Sequence, residues 1–379
     1  MILPTDAVVY RSLTAQTADF GPQVAPFIER YLTTWKTYKP NWNYEDGCVW
    51  KGCLDLAAVT GLRAFSDFVY REVSARIAAD GTIRDYAPDE FNIDNVNPGK
   101  VLASLYADTG ETRFHIALEH QIAQLDRHPR TQSGNYWHKR IYPHQVWLDG
   151  LYMAQPLRCS RACLTGDAEV VADVVKQFNH VQTHLHDAHS GLLYHGWDES
   201  RAERWSNPET GCSPNFWARA MGWYAMALVD SIDALQAPSS TPATSDAIAR
   251  LSTIFADVAA ALLRVRSDAG LWYQVLDRAD EPSNYEEASA SLMIAYALTK
   301  GARLGLVDAS SGLAGRHALA TCIERFLGDR ELGNICGIAG LGNVPYRDGS
   351  VAYYLSEPII ANDPKGVAAL LMALAEALR

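Results

Sequence analysis

Apolar side chains recur at three- and four-residue spacing along most of the chain, the period that lays one side of an α-helix against a core. Stretches that keep this period run near 18–34, 47–60, 63–79, 97–108, 112–127, 148–165, 168–187, 215–236, 246–266, 287–303, 314–327 and 365–378. They fall into pairs. The second member of each pair is small-residue-rich and apolar, as in WKGCLDLAAVTG (50–61), KVLASLYADTG (100–110) and LYMAQPLRCSRACLTG (151–166). RAMGWYAMALVDSIDAL, EASASLMIAYALTKGARLG and KGVAALLMALAEAL continue the series. First members such as ETRFHIALEHQIAQLDR are more polar. Gly61, Gly110 and Gly166 each follow a Thr, where a left-handed C′ glycine ends a helix.

Six such hairpins of about fifty residues each form a repeat array. The small-residue helices can approach one another and form an inner ring, with the polar members outside. The expected fold is all-α: an (α/α)6 barrel occupying residues 1–379 as a single domain. APSSTPATSD (237–246) then reads as a loop between hairpins rather than a linker between domains. Short strands are expected in the loops at GLLYHGWD (191–198) and GLWYQVLD (270–277).

In this arrangement the segments preceding the inner helices gather at one mouth of the barrel. They are NWNYEDG (41–47), FNIDNVNPG (91–99), HKRIYPHQVWLDG (138–150), SPNFWARAMGW (213–223), SNYEEAS (283–289) and ANDPKG (361–366). Each carries an aromatic residue, a carboxylate or both, whereas ADTGET and LTGDAE at the opposite end are plain turns. A rigid scaffold with chemistry concentrated in the loops at one end is a common way to build a site.

The richest of these loops leads to Asp149. His138, Tyr142, His144 and Trp147 all precede it closely, more than a capping carboxylate requires. Asp94 stands at the equivalent place on the neighbouring hairpin. Helix N-termini favour ionised carboxylates, while a second acid and aromatic walls favour the protonated form. Such a pair suits acid/base chemistry near neutral pH. Arg219 and Trp223 share a helix face, with Trp217 at its start, an arrangement suited to a carboxylate-bearing sugar: a guanidinium fork for the acid and a ring for the pyranose. His195, in the loop YHGWDES, is a candidate donor to substrate.

Composition narrows the partners. Hydrophobic residues make up 48% of the chain and charged residues 20%, the balance of an ordinary globular protein. The formal charge is −11, from 33 basic and 44 acidic residues, and no basic run offers a surface to nucleic acid. An anionic substrate therefore needs a locally basic pocket. The N-terminus lacks the pattern of a signal peptide, and no apolar run reaches the roughly 18 residues of a membrane span. The expectation is a cytoplasmic protein with no membrane partner. The seven cysteines form no CxxC pair and are expected to be free thiols, Cys159 and Cys163 included. No HExxH, phosphate loop or zinc spacing appears, so no metal or organic cofactor is expected.

The motifs HPRTQSGNYWHK, YPHQVWLDGLYM, GLLYHGWDES, TGCSPNFWARAMGWYAMALVD and GLWYQVLD…NYEEASAS resemble those of glycoside hydrolase family 105, the unsaturated rhamnogalacturonyl (uronyl) hydrolases. Scattered matches run from about Asn41 to Asn362. The resemblance implies an (α/α)6 barrel whose substrate is a short saccharide ending in a 4,5-unsaturated uronic acid, the product of a lyase. It implies that an Asp protonates C4, that water adds at C5 and that the hemiketal collapses to release the next sugar. By position, Asp149 matches the general acid/base and Asp94 the second acid. Tyr44, His138, Lys139, His195, Arg219 and Trp223 match residues lining the sugar subsite. The segment around Asp94 and the loop GNVPYRDGSVAYYLSEPIIANDPKG depart from the family pattern.

Three other readings compete with a galacturonyl unit on rhamnose. An unsaturated glucuronyl hydrolase would act on ulvan, arabinogalactan or glycosaminoglycan fragments. A non-catalytic sugar-binding barrel would need neither Asp. An endoglucanase of the same fold would cut neutral chains. The contiguous WHK…YPHQVWLDGLYM run favours the pectin-type family over its glucuronyl sister, and the presence of Asp94, Asp149 and Arg219 together argues against a binding barrel.

Overall fold

The computed structural model describes residues 7–236 and 242–379. Six inner helices form the ring: α3 (Tyr44–Thr60), α5 (Gly99–Thr109), α7 (Leu148–Thr165), α9 (Ala218–Leu235), α11 (Ala288–Arg303) and α14 (Pro364–Ala377). Each packs on the next, and α14 returns to pack on α3, closing the ring. Outside lie α2 (Val24–Thr33), α4 (Arg63–Ser74), α6 (Thr112–Asp126), α8 (Ala168–Leu185), α10 (Pro242–Arg264) and α12 (Ala309–Phe326). This is the (α/α)6 barrel of the sequence pattern. Residues 237–241, within the stretch read as a loop, lie outside the described residues.

Burial explains the two helix textures. From Ala218 to Ile232 every residue of α9 is buried, and α14 is buried from Pro364 to Ala377. A helix covered all round needs side chains with few polar atoms. Small residues also set the spacing. A Cβ on Gly52 of α3 would lie 2.7 Å from Cβ of Leu371 on α14, so the ring closes over a glycine. Gly61, Gly110 and Gly166 cap α3, α5 and α7 with φ of 71°, 70° and 72°, as the Thr-Gly stops require.

Three features differ from expectation. Short helices α1 (Ala7–Gln16) and α13 (Val351–Ser356) were not apparent in the pattern. The short strand expected in residues 191–198 is β2 (Gly196–Asp198), which pairs antiparallel with β1 (Gln145–Trp147), and Leu193 bridges to His186. The 270–277 stretch forms isolated bridges, Trp217 with Val275 and Tyr273 with Glu286, because its neighbours are loops and not a sheet. A second two-residue pair joins β3 (Ile335–Cys336) to β4 (Ile359–Ile360). Among the described residues no disulfide is formed. No described helix is long and apolar enough to cross a membrane.

Candidate active site

A cleft of about 240 Å³ opens at the mouth where the inner helices begin. Asp94, Asp149, Tyr44, His138 and Lys139 line it, together with Lys39, Glu45, Tyr142, Trp147 and Arg347. Five residues singled out in the sequence thus meet around one space.

The hairpin of β1 and β2 fixes Asp149. Its register pairs Trp147 with Gly196, and the amide of Leu148 donates to the carbonyl of His195 at 3.1 Å. The strand then passes directly into α7, leaving Asp149 in the first turn. The helix is capped at Trp147 without a side-chain hydrogen bond, so Asp149 is not spent on capping. Its Oδ2 is buried and has no hydrogen-bond partner in the protein. Nε2 of His195 stands 3.5 Å from it, beyond a good hydrogen bond. On its other side, His195 Nδ1 is 2.8 Å from the hydroxyl of Tyr354. Burial, the nearby Tyr353 and the charge of Asp149 push the Tyr354 phenol well above its ordinary pKa, so it stays protonated.

Asp94 sits on a 3-10 turn, Ile93–Val96, whose preceding Asn92 accepts the amide of Asp94 at 3.1 Å. Helix α6 braces this turn: Gln121 donates to the carbonyl of Asn95 and Gln124 to that of Asn92. The 138–145 hairpin lies against it through a bridge of Lys139 to Asn92. Nζ of Lys139 thereby reaches 2.6 Å from Asp94 Oδ2, and Nε2 of His138 lies 3.6 Å from Oδ1. Burial alone pushes the Asp94 carboxyl up, but Lys139 and His138 outweigh it and hold the pKa below the ordinary value. Burial drives His138 the other way, down to about 4 despite the charge of Asp94, so it is neutral near pH 7. Its ring stacks on Trp147 at 4.4 Å, and Tyr142 stacks on Trp147 at 4.8 Å. These rings make one apolar wall.

Tyr44 begins α3, just after Asn43, whose side chain caps the helix by accepting the Asp46 amide. Trp223 meets Tyr44 edge-on at 6.2 Å and stacks on Tyr152 at 4.9 Å.

Four expected sugar contacts lie behind the cleft surface. His195 and Trp223 are 0% and 1% exposed and support Asp149 and Tyr44 from within. Trp217, also buried, donates to Gln274 and packs beside His195. Arg219 departs furthest from expectation: its guanidinium donates to Ser289 and to the carbonyls of Cys336 and Gly337, with Glu287 at 3.8 Å. Those donors satisfy the carbonyls of Cys336 and Gly337, and the guanidinium charge offsets the buried Glu287 beside it. Lys39, Glu45, Tyr354 and Arg347 were not singled out. Glu45 lies in the quoted NYEDG motif, but Arg347 and Tyr354 come from the stretch that departs from the family pattern.

The ring of inner helices thus carries carboxylates and an aromatic wall at one mouth, chemistry suited to a saccharide. A model of Glycosyl Hydrolase Family 88 matches residues 25–379. The solved family 105 glycoside hydrolase from C. acetobutylicum is 40% identical, with a TM-score of 0.86 over 96% of this chain and 99% of that one. Protein Atu3128 of Agrobacterium fabrum is 44% identical over 237 residues, 60% of this chain and 98% of its own length. The unsaturated rhamnogalacturonyl hydrolase YesR of Bacillus subtilis is 27% identical over 231 residues, 59% of this chain and 62% of YesR. The chain belongs to the glycoside hydrolases of families 88 and 105, the unsaturated uronyl hydrolases. It is a glycosidase, and the reading as a non-catalytic barrel falls away.

Proposed function

We propose that the enzyme removes a terminal 4,5-unsaturated galacturonyl unit, linked to rhamnose, from lyase-generated pectin fragments. Asp149 is the acid/base. In its protonated form it gives its proton to C4 of the vinyl ether, and positive charge develops at C5. Water adds there and returns a proton to Asp149. The C5 hemiketal opens, leaving a hemiacetal at C1 that releases the neighbouring sugar as an alcohol. Atoms balance with one water consumed. Asp94, held ionised by Lys139, offers a negative charge near the developing cation and an acceptor for a sugar hydroxyl. Tyr44, His138 and Lys139 face the sugar, while His195, Trp217, Arg219 and Trp223 hold the surrounding groups in place.

The observation that carries this reading is Asp149 lining the cleft, its buried Oδ2 without a hydrogen-bond partner in front of His195, beside a separately neutralised Asp94. YesR supports the choice of rhamnogalacturonyl substrate. Unsaturated glucuronyl ends, as in ulvan, arabinogalactan or glycosaminoglycan fragments, are the alternative. We take residues 1–379 as one catalytic domain, supported by the closure of α14 on α3, and its location as cytoplasmic, in keeping with cysteines that form no disulfide among the described residues.

The test is turnover of lyase-cut rhamnogalacturonan beside ulvan and glycosaminoglycan digests, followed by loss of the double-bond absorbance. Fastest loss on the first is expected. A preference for either of the others would overturn the galacturonyl assignment. Asp149→Asn should keep ligand binding and lose turnover by several orders of magnitude; a variant retaining a tenth of the rate would remove Asp149 from its role.

A further inference from the structure

The cleft contains three carboxylates and three permanent cations, and most are already matched. Lys39 pairs with Glu45 at 2.6 Å, and Lys139 with Asp94 at 2.6 Å. Arg347 is different. Among the described residues no carboxylate lies within ion-pair distance of it. Its Nε–H donates to the carbonyl of Gly342 at 3.3 Å, and Nη2 reaches the Tyr142 hydroxyl at 3.4 Å. These are long contacts to neutral groups, and they leave Nη1 and the second Nη2 hydrogen uncommitted.

The loop carrying Arg347 is shaped to hold the guanidinium there. Gly342 and Arg347 exchange backbone hydrogen bonds, N to O at 2.8 and 3.1 Å. Asn343 donates to the same Tyr142 hydroxyl at 2.9 Å, tying the loop to the aromatic wall. A Cβ on Gly340 would fall 2.6 Å from Nη1 of Arg347 and 3.5 Å from the Trp147 ring. The planar group therefore lies over a glycine, beside the ring that leads into Asp149.

We propose that Arg347 binds the carboxylate of the terminal unsaturated uronyl unit, the part that Arg219 was expected to play. Charge directs this choice: a substrate anion entering a cleft with paired lysines finds one cation whose fork is free. Size directs the location, since about 240 Å³ falls below the usual range for drug-sized ligands and favours a single sugar residue. The carboxylate that enters is then the terminal unit's own. The proposal rests on the uronyl-hydrolase reading above.

The test uses an unsaturated uronide with a neutral aglycone, as the free acid and as its methyl ester. For the free acid, Arg347→Gln should raise KM on the order of tenfold to a hundredfold with little change in kcat, and Arg347→Lys should recover part of it. Gly340→Ala should reproduce the effect by displacing the fork. On the ester, wild type and Arg347→Gln should have the same KM. An unchanged KM for the free acid in Arg347→Gln would overturn the proposal, as would an equal loss on acid and ester, which marks a structural role. Loss of affinity seen only when the leaving sugar is acidic would also overturn it. If wild type fails to consume the double bond at all, the uronyl-hydrolase reading fails instead.

Discussion

Replacing Lys139 with methionine removes the charge 2.6 Å from Asp94 while keeping most of the side chain's bulk. Asp94 is only 6% exposed, its Oδ1 has no hydrogen-bond partner, His138 is neutral near pH 7, and the next cation, Lys39, is already paired with Glu45. Stripping one partner from a buried pair costs roughly 3–5 kcal/mol if the other charge stays. Protonation then becomes the cheaper outcome, and the Asp94 pKa rises above the ordinary carboxylate range. The sign of the pH dependence then reverses. In the wild type the depressed Asp94 pKa contributes stability above the unfolded value near 3.8, lost as pH falls through the lower folded pKa. In Lys139→Met the raised pKa costs stability at pH 8, and that cost shrinks by about 1.4 kcal/mol per pH unit as the site takes up a proton. The assay is urea unfolding of both proteins from pH 8 to 5. The gap between them should be about 3 kcal/mol at pH 8 and close steadily toward pH 5. A gap independent of pH would refute the claim that Lys139 is what keeps Asp94 ionised.

Two further outcomes follow from buried charges. Arg219→Met should lower the thermal midpoint sharply, with about 3–5 kcal/mol lost because buried Glu287 loses its counter-charge and the Cys336 and Gly337 carbonyls lose their donor, while KM for an unsaturated uronide barely moves; an intact midpoint with a raised KM would return Arg219 to the sugar. His128 is pushed down to about 4 by burial, although its contact with the Trp137 carbonyl at 2.9 Å opposes this. The unfolded chain therefore takes this proton first, and the fold loses stability as pH drops from about 6.5 toward 4. His128→Gln should flatten that fall by up to one proton's worth of slope in the urea midpoint, and an unaltered slope would contradict the assignment.

The barrel was legible because its period and its stops are local. The limits read for α7, 148–165, are those observed, and Thr-Gly ends three inner helices as expected. The α13 helix escaped notice because six residues are too few to display a period. At the mouth, residues adjacent to inner-helix starts converged: Asp94, Asp149, Tyr44, His138 and Lys139 share one cleft. Arg219 did not join them. Helical spacing groups it with Trp223 but cannot say whether that face meets water or a returning loop, and residues 336–337 occupy it. His195 was recognisable as polar and loop-borne, yet its place behind Asp149 depends on the pairing of β1 with β2. Arg347 depends on a loop more than 190 residues further along the chain than Asp149 (347 − 149 = 198). No local pattern links such a pair.

The central claim is that chemistry begins at C4 of the double bond and not at the anomeric carbon. It is tested most directly by running the reaction in deuterated water, recording double-bond absorbance and released sugar together, and quenching early for mass and NMR analysis. Absorbance should be lost no later than sugar appears, with one deuterium at C4 of the uronyl product. Release of the sugar while the free uronic acid still carries its double bond would contradict it.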